Sequence, residues 1–145
     1  MKKISLILVA LLSITALNAH ADVATAQKLA DKYTGIAQSI DKGFTPSAEE
    51  GKVFFNRQIG IKGHKVSCAS CHTANPADNG KHIVTGKMIR PLAPAVNGKR
   101  FTDLEKVEDK FVEHCNDITG SDCTAQEKAN FITYLITVKD TTPKK

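Results

Sequence analysis

The chain has 145 residues, of which 24% are charged and 6% aromatic with no Trp, and its formal charge is +5. This length suits one domain rather than two, and the ordinary charged and apolar fractions exclude disorder, a collagen-like repeat and a coiled coil. The basic excess is spread along the chain, so it does not form the concentrated patch that nucleic-acid binding requires.

The first 21 residues have the pattern of a secretory signal peptide. Lys2 and Lys3 precede a largely apolar run over residues 4–17, and Ala19-His20-Ala21 is a small-x-small cleavage site. The run is shorter than the ~20 residues of a membrane span, and no Cys follows the site, so a membrane or lipoprotein anchor is not favoured. We predict that residues 1–21 are removed on export to the periplasm and that residues 22–145 form one domain with a formal charge of +3.

Four helices are predicted in the mature chain. The first opens at Asp22 and ends before Gly43, and the second starts at the capping box Ser47-Ala48-Glu49-Glu50 and stops at Gly60. The third starts at a second box, Thr102-Asp103-Leu104-Glu105, and runs to about residue 116, and the fourth starts at Thr124-Ala125-Gln126-Glu127. Apolar residues at helical spacing predict the inner face of each helix. These residues are Ala26, Leu29, Ala30, Tyr33, Ile36, Ala37 and Ile40 in the first helix; Val53, Phe54 and Phe55 in the second; Leu104, Val107, Phe111 and Ile118 in the third; and Ala129, Ile132, Leu135 and Ile136 in the fourth.

The segments between these helices have a different composition. Residues 59–67 contain two glycines and alternate too loosely for a helix, which favours a small hairpin or a loop. Residues 73–99 hold three prolines and three glycines, which makes long regular structure there improbable. So long an irregular stretch in a small domain needs something to pack on, and a large bound cofactor would supply it.

The chemistry of the chain centres on Cys68-Ala69-Ser70-Cys71-His72. C-x-x-C-H is the attachment motif of c-type haem, in which two thiols add to the porphyrin vinyl groups and the His binds the iron. A redox-active C-x-x-C pair would need a βαβ context that the helical pattern lacks, and a zinc site would need two more ligands at regular spacing. Neither alternative explains why His72 follows Cys71. We therefore predict one covalently bound haem c.

A second protein ligand to the iron has several candidates. Besides His114, the candidates are Met88, His64, His82 and an Asn such as Asn97 or Asn116. Met88 is more typical of a side chain that fills a gap beside the porphyrin, and His64 and His82 are more typical of a solvated loop. His114 lies on the margin of the apolar stripe of the third helix, far enough past His72 for the chain to reach the other face of a haem. The spacing favours His114, with a satisfied core histidine as the alternative.

The remaining cysteines are Cys115 and Cys123. In an oxidising compartment a disulfide between them is the default, and on the chain-entropy model closing so short a loop stabilises the fold by roughly 2–3 kcal/mol. The bond is either a simple staple or a constraint on the end of the helix that carries His114.

Over essentially the whole mature chain, the sequence resembles the cytochrome c'' family, small monohaem relatives of class I cytochromes c. The resemblance rests on a set of motifs, of which a His-Cys pair with a second Cys eight residues later is the most specific. The motifs are Val53-Phe54-Phe55-Asn56-Arg57, Cys68-Ala69-Ser70-Cys71-His72-Thr73, Pro91-Leu92-Ala93-Pro94, Arg100-Phe101-Thr102-Asp103, His114-Cys115-Asn116-Asp117 and Glu127-Lys128-Ala129-Asn130-Phe131.

The resemblance implies an all-α, class I cytochrome c-like fold, with the N- and C-terminal helices packed together and a hairpin near residues 59–67. It implies that Cys68 and Cys71 attach the haem, that His72 is the permanent ligand and His114 the ligand released on reduction, and that Cys115 and Cys123 form the neighbouring disulfide. The oxidised protein would then be bis-histidine and low-spin. A released imidazole with a pKa near 6.5 can take up a proton, so reduction would be coupled to protonation.

These features predict an electron carrier, which needs only a haem edge and a docking surface. The expected partners are redox proteins, and we expect a monomer without nucleic acid or membrane anchor. Surface lysines such as Lys81, Lys87 and Lys99 are candidates for steering an acidic partner, although each alone is typical of a solvated face. The alternative is a sensor or binder of O2, NO or CO at the open reduced iron. We do not expect an enzyme, because the sequence offers no distal acid–base pair.

Overall fold

A computed structural model describes residues 17–61 and 63–139, with side chains from residue 23 onward. Within them the chain forms five helices and four short strands. The helices are α1 (Leu17–Ile40), α2 (Ala48–Asn56), α3 (Cys68–His72), α4 (Leu104–Thr119) and α5 (Ala125–Thr137). The strands are β1 (Ile59–Ile61), β2 (His64–Val66), β3 (Gly80–Lys81) and β4 (Met88–Ile89). The all-α class is confirmed. Four of the helices were predicted, and the fifth, α3, is a short helix over the C-x-x-C-H motif.

The N-terminal helix α1 packs against the C-terminal helix α5, as the resemblance implied. The predicted inner faces supply most of the buried side chains at this contact: Ala26, Leu29, Ala30, Tyr33 and Ala37 from α1, and Ala129, Ile132 and Leu135 from α5. The prediction was wrong for Ile36 and Ile40, which are 44% and 87% exposed. Ile40 lies beyond Ala37, the last buried residue of α1, and Ile36 lies at the margin of the buried face. None of the helices in the described ranges is long and apolar enough to cross a bilayer.

The start of α1 differs from the predicted one. The helix begins at Leu17 rather than Asp22, so its backbone runs through the predicted cleavage site. The basic start and most of the apolar run of the predicted signal peptide lie outside the described residues, and cleavage after Ala21 stays a prediction.

Helix α2 is held against α5 by close backbone contact and by a hydrogen bond from its N-cap residue to a side chain of α5. The Ser47 hydroxyl accepts a hydrogen bond from the Glu50 N–H at 3.2 Å, as the predicted capping box requires. The Ser47 N–H does not bond back to Glu50 but donates to the side-chain oxygen of Asn130 on α5, at 2.8 Å. Phe55 is fully buried in this contact, whereas Val53, predicted to face inward, is 55% exposed.

Helix α4 begins one residue later than its predicted capping box. Asp103, not Thr102, is the N-cap, and its carboxylate accepts from the Lys106 N–H at 3.2 Å. Because the helix starts there, Leu104 lies in the first turn and is 47% exposed rather than inside. The box at Thr124 and Glu127 forms at the start of α5 as predicted.

The segments between the helices carry two small antiparallel sheets. In the first, Ile59 pairs with Val66 and Ile61 with His64, which confirms the hairpin expected in residues 59–67. In the second, Gly80 pairs with Ile89 and Lys81 with Met88. This second hairpin was not predicted, since two-residue strands leave no periodic pattern in the sequence. The rest of residues 73–99 consists of turns and bends, as its glycines and prolines indicated.

Candidate haem site

The C-x-x-C-H motif forms the five-residue helix α3. Residues three and four apart are neighbours on a helix, so Cys68, Cys71 and His72 lie toward the same side. The first turn is closed locally, because the Ser70 hydroxyl accepts from the Ser67 N–H at 3.0 Å. The two thiols and the imidazole are thus presented together, as haem attachment and iron binding from one segment require.

Two features hold α3 in place. A Cβ atom at Gly80 would lie 2.1 Å from the Cys71 carbonyl oxygen, so only glycine lets β3 pack directly on the motif. At the other end of α3, Thr73 has φ of +61°, a conformation that costs a non-glycine residue roughly 1–3 kcal/mol. Its hydroxyl donates to the Asn75 carbonyl at 2.8 Å and fixes the turn that follows His72.

The second candidate ligand, His114, is carried by α4. One turn before it, Phe111 packs edge-on against Tyr33 of α1 and Phe131 of α5, with both pairs of ring centroids 5.8 Å apart. Near the start of α4, Lys32 and Glu108 form an ion pair at 3.0 Å. Helix α4 is therefore attached to the α1–α5 pair by side chains along its length.

Cys115 and Cys123 are joined by a disulfide, with their Cα atoms 5.5 Å apart. Both residues are buried, and Cys115 directly follows His114. The bond ties the C-terminal part of α4 to the loop that leads into α5. It therefore restricts how far the backbone of His114 can move away from the core.

The structure brings His72 and His114 together. Their ring centroids are 6.4 Å apart and their planes are inclined by 55°. Metal–imidazole bonds are roughly 2 Å long, so two imidazoles on opposite sides of one metal ion have ring centroids roughly 6 Å apart. The separation of the two rings thus fits an iron held between them, and the cysteines of α3 adjoin one of the two.

Both imidazoles favour the neutral, metal-binding form. Burial, the charge of Arg100 and the facing His114 together lower the pKa of His72 to about 4. Partial desolvation lowers the pKa of His114, although Glu113 and Asp117 act in the opposite direction. Sequence reasoning assigned no role to Arg100. The sequence signal that could have singled it out is its position inside a long stretch without acidic residues, residues 79–102.

The Arg100 side chain is held by backbone oxygens. Its Nε donates to the Pro91 carbonyl at 2.7 Å, and one terminal nitrogen donates to the Arg90 carbonyl. A half-buried guanidinium near both imidazoles is suited to the ionised propionates of a haem.

The other sequence candidates for the second ligand do not face His72 at this distance. Met88 is 72% exposed on β4, and its side of the strand points away from α3. His64 is exposed on β2. The remaining three bond locally: His82 accepts from Val84 and Thr85, Asn97 donates to Pro91, and Asn116 donates to Val112.

The two alternative interpretations of the cysteines find little support. Burial raises the pKa of the Cys68 thiol to about 11, whereas redox-active C-x-x-C cysteines have lowered values. Within residues 17–61 and 63–139, no group of three or more His, Cys, Asp or Glu side chains could hold a metal ion, so zinc has no ligand set there.

Helices packed around a C-x-x-C-H segment and a facing histidine define a monohaem c-type cytochrome. The chain is 58% identical to cytochrome c'' of Methylophilus methylotrophus over 130 residues, which cover 88% of this chain and 89% of the relative. It belongs to the cytochrome c'' family and carries haem c. A family model described as "Domain of unknown function (DUF1924)" matches residues 41–135.

Solved structures give the same result. The crystal structure of oxidised cytochrome c'' from M. methylotrophus is similar with a TM-score of 0.78 at 57% identity, covering 81% of this chain and 98% of that one. A solution structure of that cytochrome, concerned with the structural basis of haem-ligand detachment, has a TM-score of 0.73 at 58% identity, covering 85% and 99%. Oxidised SHP, described as an oxygen-binding cytochrome c, has a TM-score of 0.67 at 36% identity, covering 76% and 94%.

Proposed function

We propose that this cytochrome is a periplasmic electron carrier in which His72 and His114 are the two iron ligands and His114 is released on reduction. Cys68 and Cys71 would hold the haem through thioether bonds, and the half-buried guanidinium of Arg100 would balance the charge of its propionates. The observation that carries the proposal is the 6.4 Å separation of the two imidazole rings. The haem supplies one-electron chemistry at its iron, with the low potential that two histidine ligands give.

The two histidines differ in how they are held, and this difference identifies the one that leaves. His72 belongs to the same short helix as both attachment cysteines and lies beside the close contact of Gly80. His114 comes from a different helix, α4, outside the segment that carries the attachment cysteines, and the neighbouring disulfide restrains its backbone. Its side chain can therefore turn away while α4 stays in place. Haem-ligand detachment in the cytochrome c'' of M. methylotrophus supports a ligand that leaves in this chain as well.

Release of His114 accounts for coupling between electron and proton uptake. While one nitrogen of the imidazole binds iron, that nitrogen cannot take a proton. Once released, the same nitrogen can take up a proton, and any desolvation that persists keeps its pKa below the ordinary imidazole value. Below that pKa, each electron taken up is accompanied by one proton. Above it, the released imidazole stays neutral and the coupling is lost.

The midpoint potential is therefore expected to fall with rising pH by up to ~59 mV per unit below the pKa of released His114, and to flatten above it. Spectroelectrochemical titration between pH 5 and pH 8 measures this slope. His64→Gln, which removes an exposed histidine on β2, should leave the slope unchanged. A potential that is flat over the whole range, with a reduced spectrum that stays six-coordinate and low-spin, would show that His114 is not released.

A second candidate function is the binding of a gas, since SHP is described as an oxygen-binding cytochrome c. Release of His114 would open one face of the reduced haem to O2, NO or CO. Carbon monoxide binding to the dithionite-reduced protein tests whether that face is open. A carrier and a gas sensor both pass this test, so equilibrium affinities for O2 and NO must follow it.

The proposed location of this cytochrome is the periplasm. The predicted signal peptide supports the periplasm, and the relatives are named as cytochromes rather than enzymes. We propose redox proteins as partners and a monomeric state, with no membrane anchor and no nucleic acid.

A further inference from the structure

The charges of this protein are unevenly distributed. Residues 79–102 contain five Lys and Arg residues and no Asp or Glu, and the rest of the predicted mature chain holds 15 acidic residues against 13 basic ones. Four of the five cations are exposed: Lys81, Lys87, Arg90 and Lys99. The expectation that the basic excess is spread along the chain was therefore wrong: the whole positive excess of the mature protein lies in this one segment, which includes the hairpin formed by β3 and β4.

The tip of this hairpin, residues 82–87, is ordered by its own hydrogen bonds. The ring nitrogen Nδ1 of His82 accepts from the N–H groups of Val84 and Thr85, both at 3.2 Å. The His82 N–H donates to the Lys87 carbonyl, and the Gly86 N–H donates to the His82 carbonyl, both at 2.9 Å. A tip fixed in this way loses little conformational entropy when another molecule binds to it.

The tip and the outer side of the hairpin expose apolar side chains. Ile83 is 56% exposed, Val84 is 83% exposed and Met88 is 72% exposed. Side chains alternate along a strand, so Lys81 and Met88, which pair with each other, face away from the side on which Gly80 contacts α3. Cations beside exposed apolar residues form the mixed surface found at transient protein interfaces.

The base of the hairpin lies against the haem-attachment helix. At Gly80 the backbone of β3 comes so close to the Cys71 carbonyl that a side chain has no room. A molecule bound to the hairpin would therefore be adjacent to the segment from which the haem is held. A carrier needs its partner at such a position.

We propose that the β3–β4 hairpin, together with the exposed cations of residues 79–102, is the docking surface for an acidic electron-transfer protein. The proposal rests on the electron-carrier function proposed above. Electrostatic attraction would steer the partner, and the apolar tip would contact it after encounter. Two such hairpins would repel each other, which disfavours a symmetric contact between two copies of this chain. An anionic lipid surface would also attract these cations. Binding to lipid does not explain why the cations lie beside α3, whereas electron transfer to the haem does.

The test measures electron transfer from a small acidic flavodoxin, reduced beforehand, to the oxidised cytochrome. One electron leaves the flavin and reduces the haem iron. The rate constant is measured by stopped flow over a range of ionic strength. The triple variant Lys81→Glu/Lys87→Glu/Arg90→Glu is compared with Lys28→Glu/Lys42→Glu/Lys52→Glu, which changes the net charge equally at exposed positions on and after α1 and on α2.

We expect the hairpin variant to lower the rate at low salt by roughly tenfold or more, and the control variant to lower it by at most about threefold. The wild-type rate should fall as salt is added. Ile83→Ser/Val84→Ser, which changes no charge, should weaken binding to flavodoxin without altering the salt dependence. Equal losses in the two charge-reversal variants, or a wild-type rate independent of salt, would overturn the proposal.

Two further measurements separate the other outcomes. Reduction by dithionite needs no docking, so every variant should keep the wild-type oxidised and reduced spectra. If the wild type itself shows no ligand release with dithionite, the proposed redox-linked switch fails while the docking result stands.

Sedimentation with vesicles of phosphatidylglycerol and phosphatidylcholine tests the lipid alternative. Binding to them that the hairpin variant loses, with an unchanged flavodoxin rate, would assign the surface to membranes and overturn the proposal.

Discussion

Replacing His114 with alanine is expected to change the oxidised protein from a six-coordinate low-spin spectrum to a high-spin one. Among the described residues, His114 is the histidine whose ring faces His72 at the distance that fits an iron between them. Alanine removes the second strong-field ligand and leaves nothing at position 114 that can bind the metal. Absorption and electron paramagnetic resonance spectra of the oxidised and dithionite-reduced forms measure the change.

The same variant should lose the pH dependence of the midpoint potential, because the group that takes up the proton is gone. Its reduced spectrum should resemble that of the reduced wild type, in which we propose that His114 has already left. His82→Ala is the matched control, since it removes a histidine that binds only the backbone of its own hairpin. An oxidised His114→Ala protein that keeps a bis-histidine spectrum would mean that another side chain is the second ligand.

Sequence alone predicted the parts of this site that depend on local chemistry. The C-x-x-C-H motif requires its residues at fixed spacing, and helix starts such as Thr124 and Glu127 require a hydroxyl and a carboxylate three residues apart. Such rules can be applied to a short stretch of chain. They also located the start of α4 to within one residue, with the error arising because Thr102 and Asp103 are adjacent residues that can both serve as caps.

What could not be predicted depends on contacts between distant segments. Gly80 is needed because β3 touches the carbonyl of Cys71, and nothing near Gly80 in the sequence reveals that contact. The exposure of Ile40 depends on where α1 leaves α5, although its spacing is the same as that of the buried residues. Spacing could place His114 on the margin of a face but could not give its distance from His72, which is set by the packing of Phe111.

The contact between α2 and α5 is a second place where a distant segment of the chain decides which residue type a position can hold. Gly51 is buried in α2, and a Cβ atom there would lie 2.0 Å from the Asn130 carbonyl oxygen and 2.5 Å from its carbon. Both are backbone atoms of α5, so a side chain cannot be accommodated by a change of rotamer. The two helices would have to separate, which would expose part of Phe55 and strain the hydrogen bond between Ser47 and Asn130.

Gly51→Ala is therefore expected to lower the free energy of unfolding by about 3 kcal/mol, at the upper end of the usual cost of overpacking. Gly35→Ala is the matched control. Gly35 is also helical but exposed, with nothing within 4 Å of an added Cβ, so alanine there should stabilise the protein by about 0.5–1 kcal/mol. Urea unfolding of the two holoproteins, followed by far-ultraviolet circular dichroism, measures both changes. Helix propensity favours alanine at both sites, so only the contact with α5 can make the two substitutions change the free energy of unfolding in opposite directions. A stabilised Gly51→Ala protein would show that α2 and α5 do not approach this closely.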